Sequence, residues 1–285
     1  MDVVALVKAK DDLKEPLRKG IGLIGGFGPL QSPVLIKPNI CTKNDNTGFS
    51  VTDVKLVEAL IRLLLLELPD LSIRIVESDS QSKWADAAFK KFGYSALTEI
   101  LQQEGFDVSC VNLSTYATKE VTFEGHYFTN PKLPEILTRP SYVISVAVAK
   151  THYLTFVTGV LKNLFGLLPR KDQGFYHRRI NDVILDLVRL TSPKLSIVDA
   201  RIGVEGWNGP RTRQLNTLII GHKPASVDAT MLRVMGFNPK NIRHVVEASK
   251  YNQGSLNPEL LGETLEQVKV QFNPPEDLDS EAIIS

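Results

Sequence analysis

Short, continuous apolar runs alternate with longer segments of helical periodicity along this chain. Such runs, bounded by polar residues, are typical of strands buried on both faces of a parallel sheet. The predicted strands are 34–37 (VLIK), 72–76 (SIRIV), 106–113 (FDVSCVNL), 142–148 (YVISVAV) and 195–198 (LSIV). This alternation predicts an α/β fold, a three-layer sandwich with a largely parallel sheet.

The segments between these runs predict helices. Residues 52–68 begin with the capping residues Thr52 and Asp53 and stop before Pro69, and residues 84–104 form a second helical region interrupted near Gly93. Further helices are expected over 154–168 and 178–190. Three prolines lie within 131–140 and indicate a hinge. We therefore expect either lobes 1–135 and 136–285 or one continuous domain.

Composition excludes several classes of protein. The chain has 285 residues and a formal net charge of +1, so charge alone predicts neither nucleic acid nor membrane partners. Its two cysteines, Cys41 and Cys110, exclude a disulfide framework and a self-contained iron–sulfur or four-cysteine zinc site. We see no secretory signal at the N-terminus, and the apolar stretch 63–66 is far too short to span a membrane. A cytoplasmic protein of unknown oligomeric state is expected.

Charged residues follow the predicted strands. Lys37 and Asn39 follow the first strand, Glu77 and Asp79 the second, Lys150 and His152 the fourth, and Asp199 the fifth. In open parallel sheets, ligands bind outside the carboxyl ends of the strands, so these groups are predicted to converge on one cleft. The alternative is that strand ends meet water and are polar for that reason alone.

The segment 154–168 (LTFVTGVLKNLFGLL) sharpens this hypothesis. On a helix its polar and small residues share one stripe: Thr155, Thr158, Gly159, Lys162 and Gly166. A stripe of this kind suits close approach of a ligand, with Lys162 neutralising an anion. Tight packing against a neighbouring element, with Lys162 reaching solvent, is the alternative.

Two loops and one helix start add candidates. The segment 169–177 (PRKDQGFYH) carries Arg170, Lys171 and His177, and it is either a lid over an anionic substrate or a solvated loop. Glu205, in a glycine-rich loop, is a candidate base or metal ligand, or a solvated turn residue. Asp228, near the start of an apolar helix, is a cap or a functional carboxylate. No phosphate-loop, zinc-protease or nucleophile-elbow motif occurs.

Four motifs resemble one known family. They are KPN at 37–39, KTHxxTxxTGxxKNxFG at 150–166, DAxxGxEGxxGP at 199–210 and SVDATMLRVMGF at 226–237. Together they are similar to the family catalogued as domain of unknown function 362, over roughly residues 30–265. The resemblance implies no particular reaction. Some relatives carry ferredoxin-like cysteine motifs, which this chain lacks, so no iron–sulfur cluster is expected. The family's motifs support as site positions Lys37, Asn39, Lys150, His152, Lys162, Asn163, Glu205 and Asp228.

The leading hypothesis is an enzyme that binds a small anionic metabolite, a carboxylate or a phosphate. Lys37, Lys150 and Lys162 would hold the charge, with Lys150, Lys162 and His152 as the catalytic candidates and His152 as general acid or base at neutral pH. Expected substrate-binding residues are Lys37, Asn39, Thr155, Thr158, Asn163 and His177. A divalent metal would bind Asp79, Glu205 and Asp228. The alternatives are a non-catalytic metabolite- or metal-binding module and an accessory subunit of a redox system.

Overall fold

The computed structural model describes residues 2–79, 84–169 and 173–284. Its strands are β1 (Val3–Lys8), β2 (Val34–Pro38), β3 (Ile73–Glu77), β4 (Val108–Asn112), β5 (Thr118–Glu120), β6 (Lys132–Pro134), β7 (Tyr142–His152), β8 (Phe156–Thr158), β9 (Leu195–Glu205), β10 (Arg211–Gly221) and β11 (Glu259–Gly262). Its α-helices are α1 (Lys14–Leu23), α2 (Val54–Glu67), α3 (Ala85–Lys91), α4 (Tyr94–Gln103), α5 (Val160–Asn163), α6 (Gln173–His177), α7 (Ile180–Thr191), α8 (Pro224–Val234), α9 (Arg243–Lys250) and α10 (Leu265–Val268). Short 3-10 turns occur at Glu135–Leu137, Leu164–Leu167, Pro239–Asn241 and Ser280–Ala282.

A mixed, largely parallel sheet forms the centre of the described chain, in the order β11-β1-β10-β9-β7-β2-β3-β4, with β8 paired to β7. Strands β9, β7, β2, β3 and β4 are parallel to one another, whereas β10 is antiparallel to both β9 and β1. From β2 the chain proceeds to β3 and β4 on one side, and from β7 to β9 and β10 on the other. The order of strands therefore reverses between β2 and β7, where open α/β sheets bind ligands.

Helices cover both faces of this sheet, which gives three layers. Successive residues of β2 point to opposite faces: Leu35 packs into the apolar core beneath α5, α7, α8 and α9, and Val34 and Ile36 pack into the core beneath α1, α2 and α4. Both cores consist mainly of buried aliphatic side chains, with a few aromatic ones such as Phe165 and Phe89. The predicted α/β three-layer fold is confirmed.

The predicted strands and most predicted helices are found. Strands β7 and β9 extend past their predicted ends, because β8 and β10 pair with the polar residues that follow the apolar runs. Helix α2 starts after Asp53, whose side chain accepts from the backbone N–H of Lys55 at 2.9 Å. Gly93, with a φ of 83°, separates α3 from α4. Within the described ranges, no helix has the length and apolar character needed to cross a bilayer.

The predicted helix over 154–168 is wrong. The chain turns after His152 and returns as β8, which pairs antiparallel with the end of β7, so that Thr158 lies opposite Lys150. Phe156 adopts a left-handed backbone conformation, with a φ of 66°, which a continuous helix does not allow. Helical conformation begins only at Val160, in α5. The helical stripe predicted from Thr155 to Gly166 therefore does not exist as such.

The central sheet draws strands from both sides of residue 135, since β2 from the first half pairs directly with β7 from the second. The proposed division into lobes 1–135 and 136–285 stays a prediction.

Candidate functional site

A cavity of about 390 Å³ lies at the carboxyl ends of β2 and β7, where the strand order reverses. We call it the strand-end cavity. Its lining residues are Lys37, Asn39, Ile40, Cys41, Thr42, Lys43, Asn44, Glu77, Trp84, Lys150, His152, Tyr153, Thr158, Lys162, Asn163, Phe165, Gly166, His177 and Trp207. Lys37, Lys150 and Lys162 thus come from three separate elements to one space, as expected from the sequence, whereas Asp79 and Asp199, expected at the same cleft, do not line it.

Lys37, at the end of β2, is held in a buried ion pair. Its Nζ lies 2.7 Å from Glu77 Oε2, and the side chains of both residues are 1% exposed. The same Nζ donates to the carbonyl of Pro38 at 2.5 Å. Gly166 permits this arrangement, because a Cβ at that position would lie 2.4 Å from Lys37 Cε and 2.6 Å from Glu77 Oε1. Lys37 is therefore neutralised at the floor of the cavity and rigidly fixed.

Lys150, near the end of β7, is fully buried and faces the segment that follows β2. Its Nζ donates to the Ser50 carbonyl at 2.8 Å and lies 3.1 Å from Cys41 Sγ. No carboxylate of the described chain lies within ion-pair distance of this ammonium group, so Lys150 supplies positive charge that Glu77 does not offset.

Lys162 and Asn163 reach the cavity from α5. Lys162 Nζ lies over the Phe165 ring, 5.8 Å from its centroid. Asn163 is buried and ties α5 to the sheet: its Nδ2 donates to the Lys37 carbonyl at 2.8 Å and to Ser145 Oγ at 3.1 Å. Asn163 thereby fixes the position of Lys162 as well as lining the cavity itself.

His152 presents a neutral imidazole to the cavity. Burial, followed by the charges of Lys162 and Lys150, holds the pKa of His152 well below its usual range. The backbone N–H of Leu154 donates to Nδ1 at 3.1 Å, so the proton of the neutral ring is on Nε2. The expectation that His152 titrates near neutral pH does not hold here. In this environment it is a hydrogen-bond donor through Nε2.

Two further predicted residues line the cavity at its side and rim. Thr158 is 4% exposed, and its hydroxyl has no hydrogen-bond partner in the described part of the chain. His177, at the end of α6, lies 5.9 Å from Phe165 ring to ring, and burial, followed by the Lys162 charge, lowers its pKa. Of the predicted basic segment 169–177, Arg170 and Lys171 lie outside the described residues.

Asn39 has a structural part in the cavity wall. Its backbone N–H donates to Val146 O in β7 at 3.0 Å, which ties the segment after β2 to the sheet. Its Nδ2 donates to Ser50 O at 3.3 Å, which joins the two ends of that segment. Thr155, by contrast, lies away from the cavity lining. It is fully buried, and its hydroxyl donates to the Val157 carbonyl at 3.0 Å.

The three predicted metal ligands are not brought together. Asp79 accepts from the Ala85 backbone at the start of α3 and from Asn112. Glu205 binds Arg211, Arg213 and Asn273. Burial alone would raise the pKa of Glu205, but the hydrogen bonds from Asn273 and Arg213 outweigh it and lower the pKa. The described residues contain no group of three or more His, Cys, Asp or Glu side chains placed to hold a metal.

Asp228 acts at a distance from the cavity by capping α5. Its carboxylate accepts from the backbone N–H groups of Val160 at 2.7 Å and Leu161 at 3.0 Å. Gly159 leaves room for it, since a Cβ there would lie 2.1 Å from Asp228 Oδ1. Asp228 is at 0% exposure, and burial raises its pKa to about 7 although the two N–H groups lower it. Its cap belongs to α5 rather than to α8, the helix on which it lies.

Several lining residues escaped the sequence reasoning. Cys41 and Lys43 follow β2 in the same run as Asn39, so their position after a buried strand is a signal that the sequence does contain. Tyr153 and Trp207 are 41% and 42% exposed and lie at the cavity rim, where the chain-distant loops of β7 and β9 meet. Nothing local in the sequence marks Trp207, because its approach depends on the tertiary packing of those loops.

Comparison with known proteins identifies the family. The model of the family described as Domain of unknown function (DUF362) matches residues 34–233, which include every residue named above as lining the strand-end cavity. The chain belongs to this family. It is also 25% identical over 242 residues to the thylakoid-associated protein sll1697 of Synechocystis sp., an alignment that covers 79% of this chain and 71% of that protein.

Proposed function

We propose that this protein is an enzyme that binds a small anionic molecule, a carboxylate or a phosphate, in the strand-end cavity. The observation that carries the proposal is the charge of the lining. Among the described lining residues, four lysines (Lys37, Lys43, Lys150 and Lys162) accompany one carboxylate, Glu77, which is already paired with Lys37. Lys150 makes no ion pair within the described chain, and its positive charge in a partly buried space favours an anion.

Hydrogen-bond donors support the same proposal. The buried hydroxyl of Thr158 has no hydrogen-bond partner among the described residues, and His152, which accepts from Leu154 through Nδ1, keeps its proton on Nε2. Buried donors are normally satisfied, so a ligand that accepts hydrogen bonds would complete the site. A carboxylate or phosphate oxygen is such an acceptor, and charge-assisted hydrogen bonds are the strong ones.

The catalytic part of the proposal concerns His152. A neutral imidazole held in one tautomer donates through Nε2 to an oxygen on which negative charge develops, without the cost of burying an imidazolium. Lys150 and Lys162 would stabilise the same charge from two other sides. His152 then acts as an electrophilic donor rather than as the general base that its ordinary pKa would suggest.

The test measures binding of inorganic phosphate and of succinate by calorimetry to the wild-type protein, to Lys162→Met and to Lys55→Met. Lys55 is exposed, lies at the same edge of the sheet, and lines a different cavity. Loss of one charge-assisted contact is expected to weaken binding about 10- to 100-fold in Lys162→Met. Lys55→Met should bind like the wild type. Equal affinities in all three proteins, or no binding of either anion, would contradict the proposal.

A further inference from the structure

We infer that Cys41 is the nucleophile of the strand-end cavity and attacks an electrophilic acyl carbon of the bound anion. This inference rests on the proposed anion site and names the reaction class that the site serves. Cys41 lies just beyond β2, is partly buried and lines the cavity.

The surroundings of the Cys41 sulfur suit nucleophilic attack. Sγ lies 3.1 Å from Lys150 Nζ, at 3.4 Å from the carbonyl oxygen of Ser50 and at 3.7 Å from that of Trp207. The two carbonyls can accept the thiol hydrogen, and the ammonium group stabilises the negative charge that develops on sulfur when this hydrogen leaves. Lys150 is at 0% exposure, so water screens this interaction little.

A second feature of the cavity points to a ligand beside this thiol. Thr158 is paired in register with Lys150 across β7 and β8, and its buried hydroxyl has no partner in the described ranges. Cys41 contacts the ammonium group of Lys150, Thr158 lies opposite Lys150 in the strand pairing, and all three residues line the strand-end cavity. A molecule that accepts a hydrogen bond from Thr158 or from His152 Nε2 would be held against Lys150, next to Sγ.

The proposed step balances without a redox partner. Sγ attacks the acyl carbon, an S–C bond forms, the bond from that carbon to its leaving group breaks, and the thiol proton departs with the leaving group. The acyl group is then a thioester on Cys41. Attack by water breaks the S–C bond, releases the carboxylic acid and returns the proton to sulfur. The substrate class is an activated acyl compound that carries a separate anionic group.

Alkylation kinetics test the two parts of this inference separately. Iodoacetamide and iodoacetate share the same electrophilic carbon and leaving group but differ in charge. Rates are measured at Cys41 and Cys110 by peptide mass spectrometry, with N-acetylcysteine as the free-thiol reference. Cys110 is an internal control, because burial raises the pKa of its thiol to about 12 and it lies outside the cavity. Cys41→Ser identifies the Cys41 signal.

We expect iodoacetamide to alkylate Cys41 about tenfold faster than N-acetylcysteine. A Cys41 rate at or below that of the free thiol would overturn the inference and leave the anion site standing. We also expect the iodoacetate-to-iodoacetamide rate ratio to be higher at Cys41 than for the free thiol. A fast reaction with an unchanged ratio would instead count against the anion site.

Substitution of Lys150 tests whether its positive charge, acting on the Cys41 sulfur, is the cause of fast alkylation. Lys150→Met is expected to slow alkylation of Cys41 about tenfold, and Lys150→Arg to restore most of the rate, because the positive charge returns. If Cys41 is alkylated at similar rates in Lys150→Met and Lys150→Arg, activation of the thiol by the charge of Lys150 is contradicted. If Lys150→Met fails to fold, the wild-type comparison with N-acetylcysteine still decides the inference.

Discussion

Two cavities open at the same edge of the sheet, and the segment 39–53 contributes residues to both. The second cavity, of about 660 Å³, is the larger and has as many cationic residues as the strand-end cavity: Lys10, Lys55, Lys91 and Arg201. It also contains four carboxylates: Asp11, Asp45, Asp53 and Asp199. Arg201 lies 2.8 Å from oxygens of both Asp53 and Asp199. Its positive charge is thus already matched within the protein.

The two cavities have the same number of cationic lining residues, so this number does not distinguish them. They differ in which of these charges the described chain already pairs. In the strand-end cavity Lys37 is paired with Glu77, Lys150 makes no ion pair with the described chain, and the buried hydroxyl of Thr158 has no partner among the described residues. In the second cavity Asp53 and Asp199 already accept the hydrogen bonds of Arg201, so an incoming anion would have to displace these carboxylates from Arg201.

The largest effect is expected from breaking the ion pair that distinguishes the strand-end cavity. Lys37→Met removes one partner of a buried ion pair in which both side chains are 1% exposed, which should lower the free energy of unfolding by about 3–5 kcal/mol. Urea unfolding measures this loss. Lys55→Met in the second cavity is the matched control and should change stability by less than about 1 kcal/mol, because Lys55 is exposed. If Lys37→Met and Lys55→Met lower the free energy of unfolding by similar small amounts, the buried ion pair contributes no more to stability than an exposed lysine does.

Asp228, whose carboxylate caps α5, should make the free energy of unfolding depend on pH. The pKa of Asp228, raised to about 7, lies above its unfolded value of 3.8, so the folded state retains a proton that the unfolded state loses. This contribution to stability is complete below about pH 4, declines as the pH rises to 7, and then stays constant. The total decline should reach up to about 4 kcal/mol.

Asp228→Asn tests this effect, since it cannot ionise. The unfolding free energies of wild type and Asp228→Asn are measured from pH 4 to pH 8. The wild type should lose stability relative to Asp228→Asn as the pH rises. A difference that is constant across this range would mean that Asp228 ionises in the folded state as it does in the unfolded chain. The lining of the second cavity contains no comparable carboxylate at 0% exposure among its described residues.

The smallest effects come from two threonines that lie three residues apart. Thr158→Val removes a hydroxyl without a partner in the described chain, so stability should be unchanged or rise by about 1 kcal/mol while phosphate binding weakens about 2- to 10-fold. Thr155→Val removes a satisfied hydrogen bond to Val157, so stability should fall by about 1 kcal/mol with phosphate binding unchanged.

Thermal unfolding and phosphate titration of both threonine variants complete this test. The reverse pattern, in which Thr155→Val weakens phosphate binding and Thr158→Val does not, would place the anion elsewhere.

The sequence alone determined the five parallel core strands of the sheet and the residues that follow them, but not β1, β10 and β11. Apolar runs such as 34–37 and 142–148 predict buried strands. Such runs are visible in the sequence because they depend on neighbouring residues only. The position of Lys37 and Lys150 at strand ends follows from that pattern. Their approach follows from the general rule that carboxyl ends of parallel strands share one edge. The lysine-lined cavity was therefore within reach of the sequence.

Tertiary structure alone decided the conformation of 154–168 and the roles of several side chains. The periodicity of that segment fits a helix, but pairing of β8 with the end of β7 gains sheet hydrogen bonds and overrides the local preference. Likewise, Asp228 looks like a cap for its own helix and instead caps α5, and His152 looks like a neutral-pH acid–base group until burial and two lysines lower its pKa. These outcomes depend on desolvation and on contacts between residues far apart in the chain, which no local pattern of the sequence contains.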